Sequence, residues 1–225
     1  MDEKMEEKMK KPGLFIEWMV KPFFRAFYRL FHRAYWVNLE AIPAGGGILC
    51  ANHVSNHDGI LIGCMIRHRL VNWVTKEEAF RRRWMARVME AVGSIPVNRE
   101  KADIGSVREM FRRLNRGELV GIFPEGTRMK HKRRDQVTLS YSPVTLSERT
   151  GLPVIPVTVR NKSRPGERSG IVVGTPVVFR KPDGGKYTED EKSQLMRQFM
   201  DNIYQAPDPF GAGGHGKGKA AAPCV

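Results

Sequence analysis

The sequence predicts an α/β domain in which helices flank a mixed, largely parallel sheet. Two observations carry this. Short apolar runs alternate with segments of helical period from Val37 onward, the pattern of strand–helix–strand units. Three polar clusters stand directly after apolar runs, where ligands gather beyond the carboxyl ends of strands in open α/β sheets. A chain of 225 residues is long enough for one domain with a substantial core.

In chain order, Met1 to Lys11 is a charged lead. The segment GLFIEWMVKPFFRAFYRLFHRAYWV then concentrates aromatics, with cations at Lys21, Arg25, Arg29 and Arg33. A spacing of four keeps those cations together on a helix. Phe23, Phe24, Phe27, Tyr28, Leu30, Phe31, Ala34 and Tyr35 fill the rest, and Pro22 suits a first turn starting near Lys21. This amphipathic helix has two readings. Its aromatic face can pack on the protein's own core. Alternatively the helix lies in a membrane interface with its basic stripe against anionic lipid, which its many aromatics and cations favour.

Strands are expected at Ile48–Ala51, Val71–Val74, Ile95–Val97, Leu119–Phe123, Val154–Val159, Ile171–Val173 and Val177–Phe179. Helices are expected at Gly59–Arg67, Trp84–Val92, Ile104–Asn115 with Gly117 after its end, and Val144–Thr150 behind Pro143. Thr188 to Glu191 is a capping-box pattern opening a last helix to about Tyr204. The organisation is therefore 1–36 for the charged segment and interface helix, 37–205 for the folded domain, and 206–225 for a Gly/Ala/Lys tail unable to build a core.

The formal net charge of +14 points to anionic partners: a membrane surface, nucleic acid or phosphorylated substrates. Nothing resembles a nucleic-acid-reading module. Three cysteines make no disulfide framework and suit a reducing compartment. No segment reaches the roughly 18 apolar residues that span a bilayer, and the N-terminus lacks a secretory signal. The expected location is the cytoplasmic face of a membrane, peripheral or monotopic.

The first cluster, Asn52-His53-Val54-Ser55-Asn56-His57-Asp58, admits three readings. His53 can be a general base if a carboxylate holds its Nδ1 proton, and Asp58 is close enough in sequence to meet it. Asp58 can equally be a plain helix cap. His53 with His57 can suggest a metal, but Val54 stands where the zinc-protease motif has glutamate and no Cys-x-x-Cys partners Cys50. No metal and no cofactor are expected. His57 is expected to line the turn or the rim of the site. No Gly-x-Ser-x-Gly elbow or phosphate-binding Gly-x-x-x-x-Gly-Lys-Ser/Thr loop occurs. The second cluster, Gly93 to Arg99, ends in a cation after a strand. In the third, Phe123-Pro124-Glu125-Gly126-Thr127-Arg128 joins a rigid turn, a glycine, a hydroxyl and a guanidinium, a set suited to an oxygen-rich anion. Arg99 and Arg128 can share one phosphate, or be solvated surface charge. The run Met129 to Asp135 is mainly solvated charge.

Taken together, Asn-His-x-Ser-x-x-Asp, Gly-x-Ile-Pro-Val-x-Arg, Phe-Pro-Glu-Gly-Thr-Arg and Val154-Ile155-Pro156-Val157 follow one another in an order that resembles the glycerolipid acyltransferase family, over about Trp36 to Val178. Leu39 to Pro43 also looks familial. The resemblance implies a glycerol-3-phosphate acyltransferase-like fold. It implies transfer of an acyl chain from acyl-CoA or acyl carrier protein to the sn-2 hydroxyl of 1-acyl-glycerol-3-phosphate. His53 would be the base and Asp58 its orienting partner, while Arg99, Glu125, Gly126, Thr127 and Arg128 would hold the glycerol phosphate. The acceptor hydroxyl attacks the thioester directly, so no acyl-enzyme is needed. Asn52 would shape the loop or hold a carbonyl oxygen. After Phe-Pro-Glu-Gly-Thr-Arg the family continues with serine and a Lys-x-Gly, where this chain has Met129 and Gln136 to Pro143. That departure leaves another lyso-lipid acceptor open. A non-catalytic protein binding anionic lipid or nucleic acid is the reading from another class.

Overall fold

The computed structural model describes residues 16–67, 69–98, 103–129, 137–160 and 168–209. The charged lead, the basic run beyond Met129 and the terminal tail from Phe210 lie outside the described residues. The chain runs through α1 (Lys21–Phe31), β1 (Tyr35–Val37), β2 (Gly47–Ala51), α2 (Asp58–Met65), β3 (Val71–Lys76), α3 (Arg83–Ala91) and β4 (Ile95–Val97). It continues through α4 (Ile104–Asn115), β5 (Leu119–Ile122), α5 (Ser142–Thr150), β6 (Val154–Arg160), β7 (Gly170–Val173) and α6 (Glu189–Gln205).

The seven strands form one sheet in the order β1-β7-β6-β2-β5-β3-β4. Every adjacent pair is parallel except β6 with β7. β2 is central and all five of its residues are buried. Successive side chains point to opposite faces, as a strand's period of two requires. Ile48 and Cys50 pack with Met110 and Leu114 of α4, Val144 of α5 and Met196 and Met200 of α6. Leu49 and Ala51 pack on the other face with Tyr28 of α1 and Leu61, Ile62 and Met65 of α2. Burial on both faces is why β2 reads as a continuous apolar run.

Local chemistry sets the helix ends. The Asp103 side chain accepts the Ser106 amide at the head of α4. Thr188 and Glu191 form the expected reciprocal capping box on α6. Gly151 ends α5 in the left-handed region at φ 69°, and its amide bonds the Ser147 carbonyl.

Two expected elements differ. Val177–Phe179 is not a strand: Val177 makes an isolated antiparallel bridge with Val154. Pro176 brings no donor and Val178 is exposed, so no ladder extends from that bridge. The aromatic helix stops at Phe31, so Ala34 and Tyr35 are not on it. The Tyr28 carbonyl accepts both the His32 and the Ala34 amides, and Arg33 between them turns the chain at φ 44°. Tyr35–Val37 then enters the sheet beside β7, so the boundary expected after residue 36 falls inside a strand.

The orientation of α1 is the larger surprise. Its N-terminal cations face the protein. The Lys21 ammonium is 5% exposed and donates to the carbonyls of Ile66 (3.0 Å) and Arg69 (2.6 Å) and to Glu17 (2.5 Å). Arg25 donates to the Cys64 carbonyl at 2.5 and 3.0 Å and to Met65 at 3.3 Å. These cations occupy the carbonyl end of α2, the negative pole of its dipole. Further along, Arg29 lies over the Trp36 ring at 4.7 Å. The apolar residues face outward instead: Phe23 is 67% and Leu30 75% exposed, with Phe27 and Phe31 also open. Trp18 and Met19, in the π-helical turn Ile16–Val20, add to this surface. The expected basic stripe against lipid is therefore corrected at Lys21 and Arg25, which are consumed within the fold. No described helix is long and apolar enough to cross a membrane.

Candidate active site

The carboxyl ends of β2 and β5 lie side by side, and the first and third polar clusters leave from them. Asn52 follows β2. Its amide donates to the Val159 carbonyl (3.0 Å) and its oxygen accepts the Val159 amide (2.6 Å), imitating a strand pairing with β6. Both ends of the side chain are thus engaged with backbone. Asn52 shapes the loop, and its expected alternative of holding a carbonyl oxygen is set aside.

The next residues form a tight turn around one carboxylate. Asp58 Oδ2 accepts the Val54 amide (2.6 Å), the Ser55 amide (2.7 Å) and His53 Nδ1 (3.0 Å). The carboxylate therefore turns back on the residues before α2 instead of capping the helix in the ordinary way. Three donors on one oxygen demand a negatively charged acceptor, so the proton between the two side chains belongs on Nδ1. Nε2 keeps its lone pair and has no partner among the described residues. Asp58 is fully buried at the head of α2, where the helix dipole favours an anion. The Ser55 hydroxyl accepts the His57 amide at 3.3 Å, and the His57 residue is exposed.

The Phe123–Met129 loop is sewn to His53 on both sides. The His53 amide donates to Glu125 Oε2 (2.7 Å) and the Met129 amide donates to the His53 carbonyl (2.9 Å). The other Glu125 oxygen accepts the Tyr204 hydroxyl from α6. Glu125 is 4% exposed, and burial pushes its carboxyl above the ordinary range against the pull of those donors. Expected among the phosphate-holding residues, Glu125 instead turns its carboxylate inward to position His53. A carboxylate facing a phosphate would repel it.

Sequence reasoning missed what holds the imidazole from its flank. The His53 ring stacks on Phe123 (centroids 4.3 Å, 21° between planes), and Phe123 stacks on Trp73 of β3 (4.5 Å, 10°). The signal was Gly121. A Cβ there would lie 2.5 Å from the Trp73 ring, so only glycine in β5 lets the indole lie flat across the strand. A glycine inside a strand is the mark of such a close approach.

His53, Gly126, Thr127 and Arg128 all open on one cleft of about 1080 Å³. Ile16, Val20 and Phe24 border it on the α1 side, and Met85, Val88 and Met89 on the α3 side. Gly59 and Gly63 of α2 also line it, and a Cβ at Gly63 would meet nothing within 4 Å. Arg128 is exposed at the rim, while Arg99 lies outside the described residues. Both described thiols stay protonated: burial drives Cys50 well up and Cys64 up to about 11. Among the described residues no three His, Cys, Asp or Glu side chains cluster as metal ligands. The arrangement offers a tautomer-fixed imidazole beside hydroxyl and guanidinium donors, at one end of an apolar space.

Comparison with known proteins agrees with this chemistry. A family model described as Acyltransferase matches residues 33–160, more than half of the chain. The 1-acyl-sn-glycerol-3-phosphate acyltransferase of Bacillus subtilis (strain 168) is 27% identical over 146 residues, covering 62% of this chain and 71% of that protein. The crystal structure of the 1-acyl-sn-glycerophosphate (LPA) acyltransferase of Thermotoga maritima has the same fold, with a TM-score of 0.64 at 21% identity over 88% of this chain and 82% of that one.

Proposed function

From the premise that this chain belongs to the acyltransferase family, we propose that it moves a fatty acyl chain from an acyl-CoA or acyl carrier protein thioester to the sn-2 hydroxyl of 1-acyl-glycerol-3-phosphate, giving phosphatidic acid. The observation that carries this is the His53–Asp58 contact at 3.0 Å inside a cleft with a cationic rim and an apolar interior.

In this reading His53 Nε2 takes the proton of the acceptor hydroxyl as its oxygen attacks the thioester carbonyl carbon. The tetrahedral adduct collapses, the carbon–sulfur bond breaks, and the imidazolium returns the proton to the leaving thiolate. An ester and a free thiol result, and no protein nucleophile or cofactor takes part. Asp58 stabilises the imidazolium and holds its orientation. The Phe123–Trp73 stack restricts the ring, and Glu125 fixes the backbone beneath it. Thr127 and Arg128, with Arg99, hold the acceptor's phosphate, for which a guanidinium offers paired donors. The apolar part of the cleft takes acyl chain. The outward aromatics of α1 place the cleft against a membrane, from which a single-chain lipid acceptor is drawn.

Purified protein given lysophosphatidate and an acyl thioester should release free thiol, and His53→Ala should lower that rate by at least ~10²-fold. An unchanged rate would remove His53 from the base's role. Because Met129 departs from the family pattern, the same assay with a panel of lyso-lipid acceptors decides the acceptor. A faster reaction with a different headgroup would move the specificity while leaving the chemistry in place.

A further inference from the structure

One stretch plays no part in acyl transfer: Arg81-Arg82-Arg83-Trp84-Met85-Ala86-Arg87, which leads into α3. All four arginines are exposed, and none makes a hydrogen bond or ion pair with a described residue. Lys76 adds to them, and Glu77, Glu78 and Glu90 are the nearby acids. Between the arginines Trp84 is 58% exposed, and Val88, one turn on, is exposed beside it. The inner face of the same helix gives Met85 and Met89 to the cleft wall, and Arg81, Arg82 and Val88 reach the lining too. α3 therefore presents two surfaces: an apolar wall inside the cleft and an indole among guanidinium groups outside it.

We propose that the outer face of α3 is a second membrane arm, a cationic tryptophan-bearing surface that seats on anionic lipid headgroups across the cleft from α1. The charge follows from what α1 lacks. Lys21 and Arg25 are turned inward onto α2, so the N-terminal helix contributes mainly apolar contact. The exposed cations bordering the cleft on its other side are those of α3. An indole beside arginines matches the headgroup layer, where the ring lies among glycerol and carbonyl groups and the long cationic stems reach the phosphates. A protein partner would also find cations here. Lipid is favoured because α1 and α3 border one cleft, and the broad apolar surface of α1 suits a bilayer. The inference rests on the lipid-acceptor reading only for why the cleft should open toward lipid.

The test is vesicle binding by the full chain without substrates. Protein is floated with phosphatidylcholine vesicles and with vesicles that also contain phosphatidylglycerol, at low and high salt. Arg83→Ala/Arg87→Ala should weaken binding to the anionic vesicles by roughly 30-fold at low salt, about fivefold for each charge. High salt should shrink that difference. The control Arg108→Ala/Arg149→Ala removes the same charge from α4 and α5, which pack on the opposite face of the sheet. It should bind nearly as wild type does. Trp84→Ala, which leaves the charge untouched, should weaken binding to both vesicle types. If the α3 double variant binds like the control pair, the arm does not exist. Intact vesicle binding with turnover lost only on an acidic carrier-protein donor would reassign the surface to protein docking. His53→Ala separates the two readings: it should bind vesicles fully, so a failed acyl-transfer assay leaves this result standing.

Discussion

The two ends of α2 each meet buried charge and put it to different use. At the amino end Asp58 collects two backbone amides and the His53 ring on one oxygen. At the carboxyl end Lys21 and Arg25, brought by α1, place their protons on the carbonyls of Cys64, Met65, Ile66 and Arg69. Both ends obey the same electrostatics, an anion at the positive pole and cations at the negative one. They differ in what remains open. The amino end leaves one imidazole nitrogen facing the cleft, while the cations of the carboxyl end terminate on backbone carbonyls and on Glu17. Chemistry needs that open valence; attachment needs its absence. Burial of charge alone therefore does not mark a catalytic group.

The comparison breaks first at the amino end. Asp58→Asn keeps the shape of the side chain but can present an amide to Nδ1, which favours the wrong imidazole tautomer. Turnover should fall by roughly 10³- to 10⁴-fold while the chain remains folded. A loss below tenfold, measured as thiol release, would mean that His53 does not depend on Asp58. Midway along the helix, Gly63→Leu places a side chain into open cleft. The ratio of kcat/KM for long over short acyl donors should fall by ~10-fold or more, the scale on which apolar pockets resolve added methylenes. A uniform loss at every chain length would remove the cleft's apolar part from the acyl path.

At the carboxyl end, Arg25→Ala removes charge-assisted bonds to the Cys64 and Met65 carbonyls. It should cost about 1–2 kcal/mol in denaturant unfolding. Turnover on a detergent-dispersed acceptor should change by less than ~3-fold. If turnover falls with Arg25→Ala as it does with Asp58→Asn, the two ends are not separable. The smallest effect concerns Glu125, which anchors the amino-end loop. Its carboxyl is raised by burial, so its contribution to stability is present below the unfolded carboxyl pKa and lost as pH rises through the higher folded value. The melting temperature of wild type minus that of Glu125→Gln should therefore decline as pH climbs from acid through the carboxylate range. A rising difference would reverse the assigned direction.

Much of this could be read in one dimension. The helix Ile104–Asn115 and the strand Ile95–Val97 stand where their periodicity and breakers place them. The capping box at Thr188 forms as written, because it involves residues three apart and depends on little else. The His53–Asp58 meeting is local in the same sense, closed within one turn before a helix. The misses are non-local. β1 is three residues long and exists because β7 lies beside it. Val177–Phe179 has strand composition but finds only a bridge to Val154. Glu125 sits in a motif that suits an anion's ligand, yet Tyr204, 79 residues away, meets its carboxylate from α6.

By itself the sequence determined the α/β class, most element positions, and the histidine–aspartate pair, since each rests on period, capping or spacing within a short segment. Tertiary structure alone decided which way α1 faces. A helical stripe of cations every fourth residue has the same period whether it meets lipid or protein. What settled the matter was the exposed carbonyl end of α2, a strong acceptor of cations that no pattern within residues 16–37 could announce. Packing against it turned the charge inward and left the aromatics outside.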